Sequence, residues 1–143
     1  MKILLTGVTG YIGKRLLPLL LEQGHEIVCC VRDKKRIPTE GIYADKRLTY
    51  FEVDFLKEIA IPPGVTSVDA AYYLIHSMTS DIRNFERLEE TSANNFMNLV
   101  TALDTKRIIY LGGITNSSDL SKHLASRKKV EEILGSTSIP LTS

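Results

Sequence analysis

Three glycines near the start of the chain, Gly7, Gly10 and Gly13, are each separated by two other residues. A short apolar run over 2–6 precedes them and a helical pattern over 11–23 follows, so they occupy the turn between a buried strand and a helix. Gly7 allows a sharp turn off the strand, Gly10 a close approach of the backbone to a pyrophosphate, and Gly13 close packing of the helix. Because the free N–H groups at the start of a helix attract anions, the spacing predicts a phosphate-binding turn.

A second apolar strand over 25–31 follows the helix, after Gly24 at the position of a helix C-cap. The strand, turn, helix and strand form a βαβ unit of about 30 residues, the size of one half of a dinucleotide-binding fold. The spacing is Gly-x-x-Gly-x-x-Gly rather than the older Gly-x-Gly-x-x-Gly, and its place between strand and helix favours a ligand over a purely structural turn. The residues predicted to meet a cofactor there are Gly7, Thr9, Gly10, Tyr11, Ile12 and Gly13.

The composition is that of an ordinary globular domain. A length of 143 residues is enough for one domain with a core, and a net charge of +1 gives no field that favours nucleic acid or a membrane surface. No apolar run reaches the ~20 residues that span a bilayer, and the chain begins with a strand rather than a signal peptide, so we expect a cytoplasmic protein.

Cys29 and Cys30 point to opposite faces of one strand and are expected to be buried and unpaired. No Cys/His spacing suggests a metal site.

The stretch 6–13, Thr-Gly-Val-Thr-Gly-Tyr-Ile-Gly, resembles the cofactor motif of the extended and atypical short-chain dehydrogenases/reductases. Stretches 72–78, 107–113 and 120–127 are similar to the atypical branch described as NAD(P)H-binding or nucleoside-diphosphate-sugar-epimerase-like. The resemblance extends over nearly the whole chain and implies a Rossmann fold that binds NAD or NADP. It also implies that residues 1–143 are the N-terminal, cofactor-binding part of such a protein, truncated before a C-terminal substrate-binding part.

The periodicity of the remaining chain predicts an α/β fold. Strands are expected over 48–53, 68–75 and 107–111, with the start of a sixth at 139–143, and helices over 81–104 and 120–135. Short, right-handed connections then give a doubly wound parallel sheet in the order 3-2-1-4-5, with strand six as a further edge and helices on both faces. In such a sheet ligands bind beyond the carboxyl ends of strands one and four, where the strand order reverses.

The end of the second strand bears on the choice between NAD and NADP. An acidic residue about 20 positions past the glycines would hydrogen-bond the adenosine ribose of NAD, but Val31 holds that position and Arg32 follows it. A guanidinium there suits a 2′-phosphate, and Lys35 adds positive charge nearby. NADP is therefore predicted over NAD. A shift of one residue would instead place the carboxylate of Asp33 at the ribose, which keeps NAD as the alternative.

Three further stretches are predicted to line the cofactor. The family resemblance implies that Asp54 bonds the adenine amino group and Phe55 offers its backbone, and it suggests a contact of Asn95 toward the cofactor side. An Asp that merely stabilises a turn is the alternative for position 54. Residues beyond strands four and five are predicted to surround the ribose and the nicotinamide, and these are Leu74, Ile75, His76, Ser77 and Gly112.

The catalytic set of the wider family, a Ser after strand five and a Tyr and a Lys four apart on the next helix, is missing from the expected positions. Gly112 stands where the Ser is expected, and His123 and Arg127 stand near the places of the Tyr and the Lys. Residues four apart share a helix face, so His123 and Arg127 are candidates for an acid and a ribose contact, although a surface or interface role is the stronger interpretation. His76 is the third candidate because imidazole titrates near neutral pH; a loop histidine without proton transfer is its alternative.

Together these features predict an NADP(H)-binding oxidoreductase-like protein that acts on an unknown small molecule or sugar nucleotide. The alternative is a catalytically inactive protein that senses NADP(H) and regulates or scaffolds a partner, which the missing Ser-Tyr-Lys set favours. A Rossmann domain that binds no nucleotide is a third hypothesis. The resemblance also implies a homodimer through the helices at 81–104 and 120–135, since these form a four-helix interface in many extended relatives.

Overall fold

A computed structural model of the chain describes residues 1–76, 82–112 and 122–143. The strands and α-helices follow one another in the predicted order. In chain order they are β1 (Lys2–Thr6), α1 (Tyr11–Glu22), β2 (Glu26–Val31), β3 (Leu48–Glu52), β4 (Ala70–Tyr73), α2 (Ile82–Ala102), β5 (Ile108–Tyr110), α3 (Lys122–Leu134) and β6 (Leu141–Thr142). Within the described range 1–76 no α-helix lies between β2 and β3 or between β3 and β4, and two short 3-10 turns, Lys34–Arg36 and Gly41–Ala44, lie between β2 and β3.

The strands form one parallel sheet in the order β3-β2-β1-β4-β5-β6. This confirms the predicted doubly wound Rossmann-type order and the sixth strand at its edge. The central strand β1 pairs with β2 on one side, where Leu5 faces Cys29, and with β4 on the other, where Leu5 faces Tyr72. The chain therefore reverses its direction of winding between β1 and β4, and their carboxyl ends flank one crevice.

The two faces of the sheet bury separate apolar clusters because successive strand residues point to opposite sides. On the α1 face, Ile3, Leu5 and Ile27 pack with the buried leucines of α1. On the α2–α3 face, Leu4, Val28 and Ile108 pack with Phe96 and other residues of α2 and α3. The helices thus cover both faces, as expected for a sheet whose central strands β1, β2, β4 and β5 are mainly buried and apolar.

The two cysteines belong to different faces, as predicted. Cys29 lies in the cluster on the α1 face and Cys30 in the cluster on the α2–α3 face, and both are free and buried. Burial raises the pKa of Cys29 to about 12, and burial followed by the neighbouring Cys29 raises the pKa of Cys30. Both side chains are therefore thiols rather than reactive thiolates.

Strand β4 is shorter than the predicted 68–75 because both of its ends hydrogen-bond to other partners. At its start Val68 N–H donates to the carbonyl of Leu103 at the end of α2, 3.1 Å away. At its end Leu74 N–H donates to the hydroxyl of Thr6, 2.8 Å away, instead of to a strand carbonyl. The other elements differ from the predicted ranges by a few residues at their ends, where assignment is least definite.

Two negative observations apply to the described residues. None of the helices within 1–76, 82–112 and 122–143 combines the length and the hydropathy that a membrane span requires. In the same ranges no three His, Cys, Asp or Glu side chains are grouped so that they could hold a metal ion.

Candidate cofactor site

The turn between β1 and α1 requires glycine at two positions. Gly7 has a φ of +66°, and a β-carbon there would lie 2.8 Å from the carbonyl oxygen of Leu74. A β-carbon at Gly13 would lie 2.1 Å from the carbonyl oxygen of Gly7 and 2.8 Å from Cα of Val8. Gly13 therefore lets the first turn of α1 rest against the glycine turn itself, a tighter contact than the helix–strand packing predicted from the sequence.

Helix α1 begins at the crevice with its N–H groups unprotected by a side chain. Gly10 is the N-cap residue, has no side chain to cap the helix, and donates its N–H to the carbonyl of Gly7 at 3.0 Å. Around it Thr9, Tyr11 and Ile12 are exposed, with 71% of Tyr11 and 39% of Ile12 accessible. The guanidinium of Arg15 lies 3.7 Å from the centre of the Tyr11 ring. Two large apolar side chains beside a free helix start are suited to contact a ligand.

Thr6 joins β1 to β4 at the point where the strand order reverses. Its buried hydroxyl donates to the carbonyl of Tyr72 at 2.9 Å and accepts from the N–H of Leu74 at 2.8 Å. The sequence shows this threonine in the motif, but we did not predict its role. The available signal is a polar residue that ends an otherwise apolar strand.

The chain leaving β4 lines the other side of the crevice. Leu74 packs with the cluster on the α1 face and Ile75 with the cluster on the α2–α3 face, and both are partly buried. His76, the next residue along the chain, is exposed. Partial desolvation lowers the pKa of its imidazole, the positive charge of Arg127 lowers it further, and the negative charge of Glu89 opposes both. Ser77 lies outside the described residues.

At the end of β2 the two candidate ribose residues differ in their surroundings. Arg32 is exposed and forms no ion pair with any residue of the described ranges. Asp33 caps the following 3-10 turn: its Oδ1 accepts the N–H of Lys35 at 2.9 Å, and its Oδ2 lies 3.9 Å from Nε of Arg36. The carboxylate of Asp33 thus has local partners, whereas the guanidinium of Arg32 and the ammonium of Lys35 are exposed to solvent.

The residues after β3 form a short, well-anchored loop. Val53 N–H donates to the carbonyl of Val31 at 2.8 Å, which prolongs the pairing of β2 and β3. Asp54 is partly buried, and its Oδ1 accepts the N–H of Leu56 at 2.9 Å. Phe55 is buried, and its carbonyl accepts a hydrogen bond from the side chain of Asn95. Asn95 thus hydrogen-bonds the loop that carries the predicted adenine site, and a contribution of Asn95 to cofactor binding stays a prediction.

At the end of β5, unlike in the glycine turn, the surrounding atoms leave room for a side chain at position 112, so glycine is not required there. A β-carbon there would lie 3.5 Å from the Tyr110 ring and 3.9 Å from the carboxylate of Glu131, both ordinary contact distances. On α3, Arg127 is partly buried, and its carbonyl accepts a long hydrogen bond of 3.5 Å from the Tyr110 hydroxyl. His123 lies in the same helix, and its side chain is outside the described part of the structure.

A buried polar group between the sheet and α2 was missed from the sequence. Glu89 is only 3% exposed, and its charge acts on Tyr73, His76 and Tyr110. Burial raises the pKa of Tyr110 to about 12 and also raises that of Tyr73, so both phenols stay protonated. The hydroxyl of Tyr73 has no partner within the described ranges. The signal for Glu89 is its spacing, seven residues before Phe96, which places it on the buried stripe of α2.

Solved structures share this fold at low sequence identity. The Bordetella bronchiseptica enzyme WbmG in complex with NAD is 16% identical, with a TM-score of 0.73 over 99% of this chain and 51% of that chain. The Citrobacter sp. triphenylmethane reductase complexed with NADP(H) is 18% identical, with a TM-score of 0.75 over 97% and 47%. The UDP-Glc/GlcNAc 4-epimerase from Campylobacter jejuni is 21% identical, with a TM-score of 0.73 over 94% and 48%. The chain spans about half the length of each of these proteins.

Residues 3–130 match the NAD dependent epimerase/dehydratase family. The match begins in β1, includes the glycine turn and the crevice between β1 and β4, and ends in α3. It confirms the resemblance to extended and nucleoside-diphosphate-sugar-epimerase-like proteins. The chain belongs to the NAD dependent epimerase/dehydratase family.

Proposed function

We propose that this chain binds NADP(H) in the crevice between β1 and β4, as the cofactor-binding part of an oxidoreductase. The observation that carries the proposal is the turn in which Gly7 and Gly13 leave no room for a β-carbon directly beside the uncapped start of α1. A backbone packed this closely, with free N–H groups at its end, fits a dinucleotide pyrophosphate. The family membership and the cofactors bound by the similar structures support the same class of ligand.

Each end of the cofactor has candidate contacts in the described residues. Asp54 and the backbone of Phe55 would hold the adenine, while Gly10 and the exposed residues around it, Thr9, Tyr11 and Ile12, would surround the phosphates. The candidates around the ribose and nicotinamide are Leu74, Ile75, His76 and Gly112, together with Ser77, which lies outside the described residues. The adenine assignment rests on the family resemblance, the phosphate contacts rest on the glycine motif, and the ribose and nicotinamide candidates rest on their positions at the carboxyl ends of the strands.

The preference for NADP over NAD is proposed from the charges after β2. Arg32 and Lys35 are exposed, and a guanidinium can hold a 2′-phosphate with two charge-assisted hydrogen bonds. The alternative ribose ligand, Asp33, already accepts the N–H of Lys35 and faces Arg36. Because a ribose hydroxyl would compete with Arg36 for this carboxylate, Asp33 is the weaker candidate.

A bound nicotinamide cofactor supplies or accepts a hydride, and this chain would handle the accompanying proton. His76 is our candidate because it lies beyond β4 and its pKa is lowered. A histidine in that state is neutral at pH 7, so it is suited to accept a proton from an alcohol during oxidation. Arg127 and His123 remain candidates for a ribose contact and an acid on α3. The substrate, a small molecule or a sugar nucleotide, would be held largely by residues beyond 1–143.

Calorimetric titration with NADPH and with NADH tests the proposal. We expect the wild-type chain to prefer NADPH, and Arg32→Ala to remove that preference while NADH affinity stays unchanged. Lys34→Ala is the matched control, since Lys34 is an exposed cation two residues away. If neither dinucleotide binds, the proposed function is wrong. If NADPH and NADH bind equally to the wild type, the dinucleotide site stands and the 2′-phosphate contact is wrong.

A second candidate function is cofactor sensing without turnover. It is favoured by Gly112 at the position of the family serine and by His123 and Arg127 near the tyrosine and lysine positions. NADPH oxidation with a panel of carbonyl substrates distinguishes the two functions. Tight NADPH binding without turnover by the whole protein would favour the sensor.

We also propose a homodimer formed through α2 and α3. The proposal rests on the use of the corresponding helices in extended relatives. The large exposed apolar residues of the described chain lie outside these two helices, so the interface would be mainly polar. Light scattering at high micromolar concentration tests it, and a monomer under those conditions would contradict it.

A further inference from the structure

The side chain of Asn95 connects the middle of α2 to the loop that follows β3. Its Nδ2 donates to the carbonyl oxygen of Phe55 at 2.7 Å, across 40 positions of sequence. The next residue on the helix, Phe96, is fully buried, and its ring centre lies 6.0 Å from that of Phe55. Two successive residues of α2 therefore hold Phe55, one by its main chain and one by its ring.

The loop contacted in this way carries the predicted adenine site. Its backbone is already ordered by a turn in which Lys57 N–H donates to the carbonyl of Asp54 at 3.0 Å. Among the described residues, the Phe55 N–H donates to no acceptor. At the carboxyl edge of β3 the loop thus presents the partly buried Asp54 carboxylate, whose Oδ1 accepts the Leu56 N–H, and a Phe55 N–H that has no acceptor in those residues, while the Phe55 carbonyl is turned toward α2. An adenine offers the complementary groups, an amino donor and adjacent ring nitrogens.

We propose that Asn95 is a positioning residue for the adenine end of the cofactor. By fixing the carbonyl of Phe55, the amide sets the orientation of the backbone whose N–H and neighbouring Asp54 carboxylate meet the base. The inference rests on the proposed dinucleotide function and specifies how one end of that site is built. Its rival is a tether that only attaches the loop to the helix and contributes to stability alone.

The effect expected from losing the tether is selective. Without the amide donor the Phe55 carbonyl can rotate, and the adenine loses the alignment of two hydrogen bonds. The loss of one such bond corresponds to a roughly tenfold change in affinity. A ligand without adenine would keep its affinity, because the glycine turn and the end of β4 have no contact with Asn95 among the described hydrogen bonds.

Two variants test the inference. Asn95→Ala removes the donor, and Asn95→Asp keeps the size of the side chain but places a carboxylate against the carbonyl of Phe55. Asn94→Ala is the matched control, because Asn94 is exposed and its Nδ2 donates only within α2, to the carbonyl of Glu90 at 2.9 Å. Circular dichroism and thermal melting establish that each variant is folded. If Asn95→Ala does not fold, Asn95→Asp carries the test.

The probes are NADPH, adenosine 2′,5′-bisphosphate and reduced nicotinamide mononucleotide. We expect both Asn95 variants to bind the two adenine-containing probes about tenfold more weakly, with the mononucleotide unchanged and Asn94→Ala like the wild type. Equal weakening of all three probes, or unchanged binding of the bisphosphate, would overturn the inference. Failure of the wild type to bind any dinucleotide would instead overturn the proposed function, and the inference with it.

Discussion

Replacing Gly13 by alanine tests how closely the first turn of α1 is packed against the glycine turn. The new β-carbon would lie 2.1 Å from the carbonyl oxygen of Gly7, and real β-carbons essentially never come closer than 3.0 Å to such an atom. The turn and the helix must therefore move apart by at least 0.9 Å, the difference between these two distances. Both partners are main chain, so no side chain can rotate to relieve the contact.

Two effects of opposite sign act on the stability of this variant. Alanine is a better helix former than glycine by about 1 kcal/mol, whereas forcing extra volume into a packed site costs roughly 1–3 kcal/mol. Because the contact at Gly13 is with backbone, we expect a steric cost at the upper end of that range and a net fall in the free energy of unfolding of about 1–2 kcal/mol. The displaced helix start would also lose N–H contacts to phosphate. Hydrogen bonds to charged groups contribute ~1.5–3 kcal/mol each, so NADPH affinity should fall at least tenfold.

Urea denaturation and NADPH calorimetry measure the two effects, and Gly24→Ala is the control. Gly24 has a φ of +83° and open space around it, so alanine there is strained by about 1 kcal/mol without touching the crevice. We expect the two variants to lose similar stability, with only Gly13→Ala losing NADPH. A Gly13→Ala chain that is more stable than the wild type, or that binds NADPH equally well, would refute the packing argument.

Three further predictions follow from other parts of the crevice. Thr6→Val removes both hydrogen bonds of the buried hydroxyl and should lower the free energy of unfolding in urea by about 1–3 kcal/mol, whereas Thr49→Val, at an exposed strand position, should change it little. Because the folded state lowers the pKa of His76 from 6.5, folding favours the neutral imidazole. The contribution of His76 to wild-type stability should therefore be retained above pH 6.5 and lost as the pH falls from there toward the pKa of His76 in the folded chain. A His76→Gln chain should lose less stability over that pH window. The free energy of unfolding of Gly112→Ser in urea should stay within about 0.5 kcal/mol of the wild-type value, since a β-carbon at this position meets only ordinary contacts. A large fall in this free energy would show that the end of β5 is packed more tightly than described.

The features that the sequence predicted well depend on local chemistry. The positive φ of Gly7 follows from a glycine placed between a strand and a helix, and the sheet order follows from the order of the predicted elements and the right-handed connection of parallel strands. The burial of Cys29 and Cys30 on opposite faces follows from the two-residue period of a strand. In each case neighbouring residues alone carry the signal.

The features that escaped prediction depend on contacts between distant residues. Thr6 bonds to β4, which lies 66 and 68 positions away along the chain, and no local pattern specifies that partner. Glu89 was passed over because a charged residue on a helix is usually exposed, yet the packing of α2 buries it. The spacing did predict the helix of Asn95, but it could not show that its amide would reach the carbonyl of Phe55.

The placement of Cys29 and Cys30 gives the chain one chemical reporter for each face of its sheet. A buried thiol with a raised pKa reacts with an alkylating reagent only when the structure around it opens. Labelling of Cys29 would therefore record the opening of the layer that contains α1, and labelling of Cys30 the opening of the layer that contains α2 and α3. Comparing the two labelling rates in single-cysteine variants would show whether the two layers separate from the sheet together or one before the other, and no new cysteine has to be introduced.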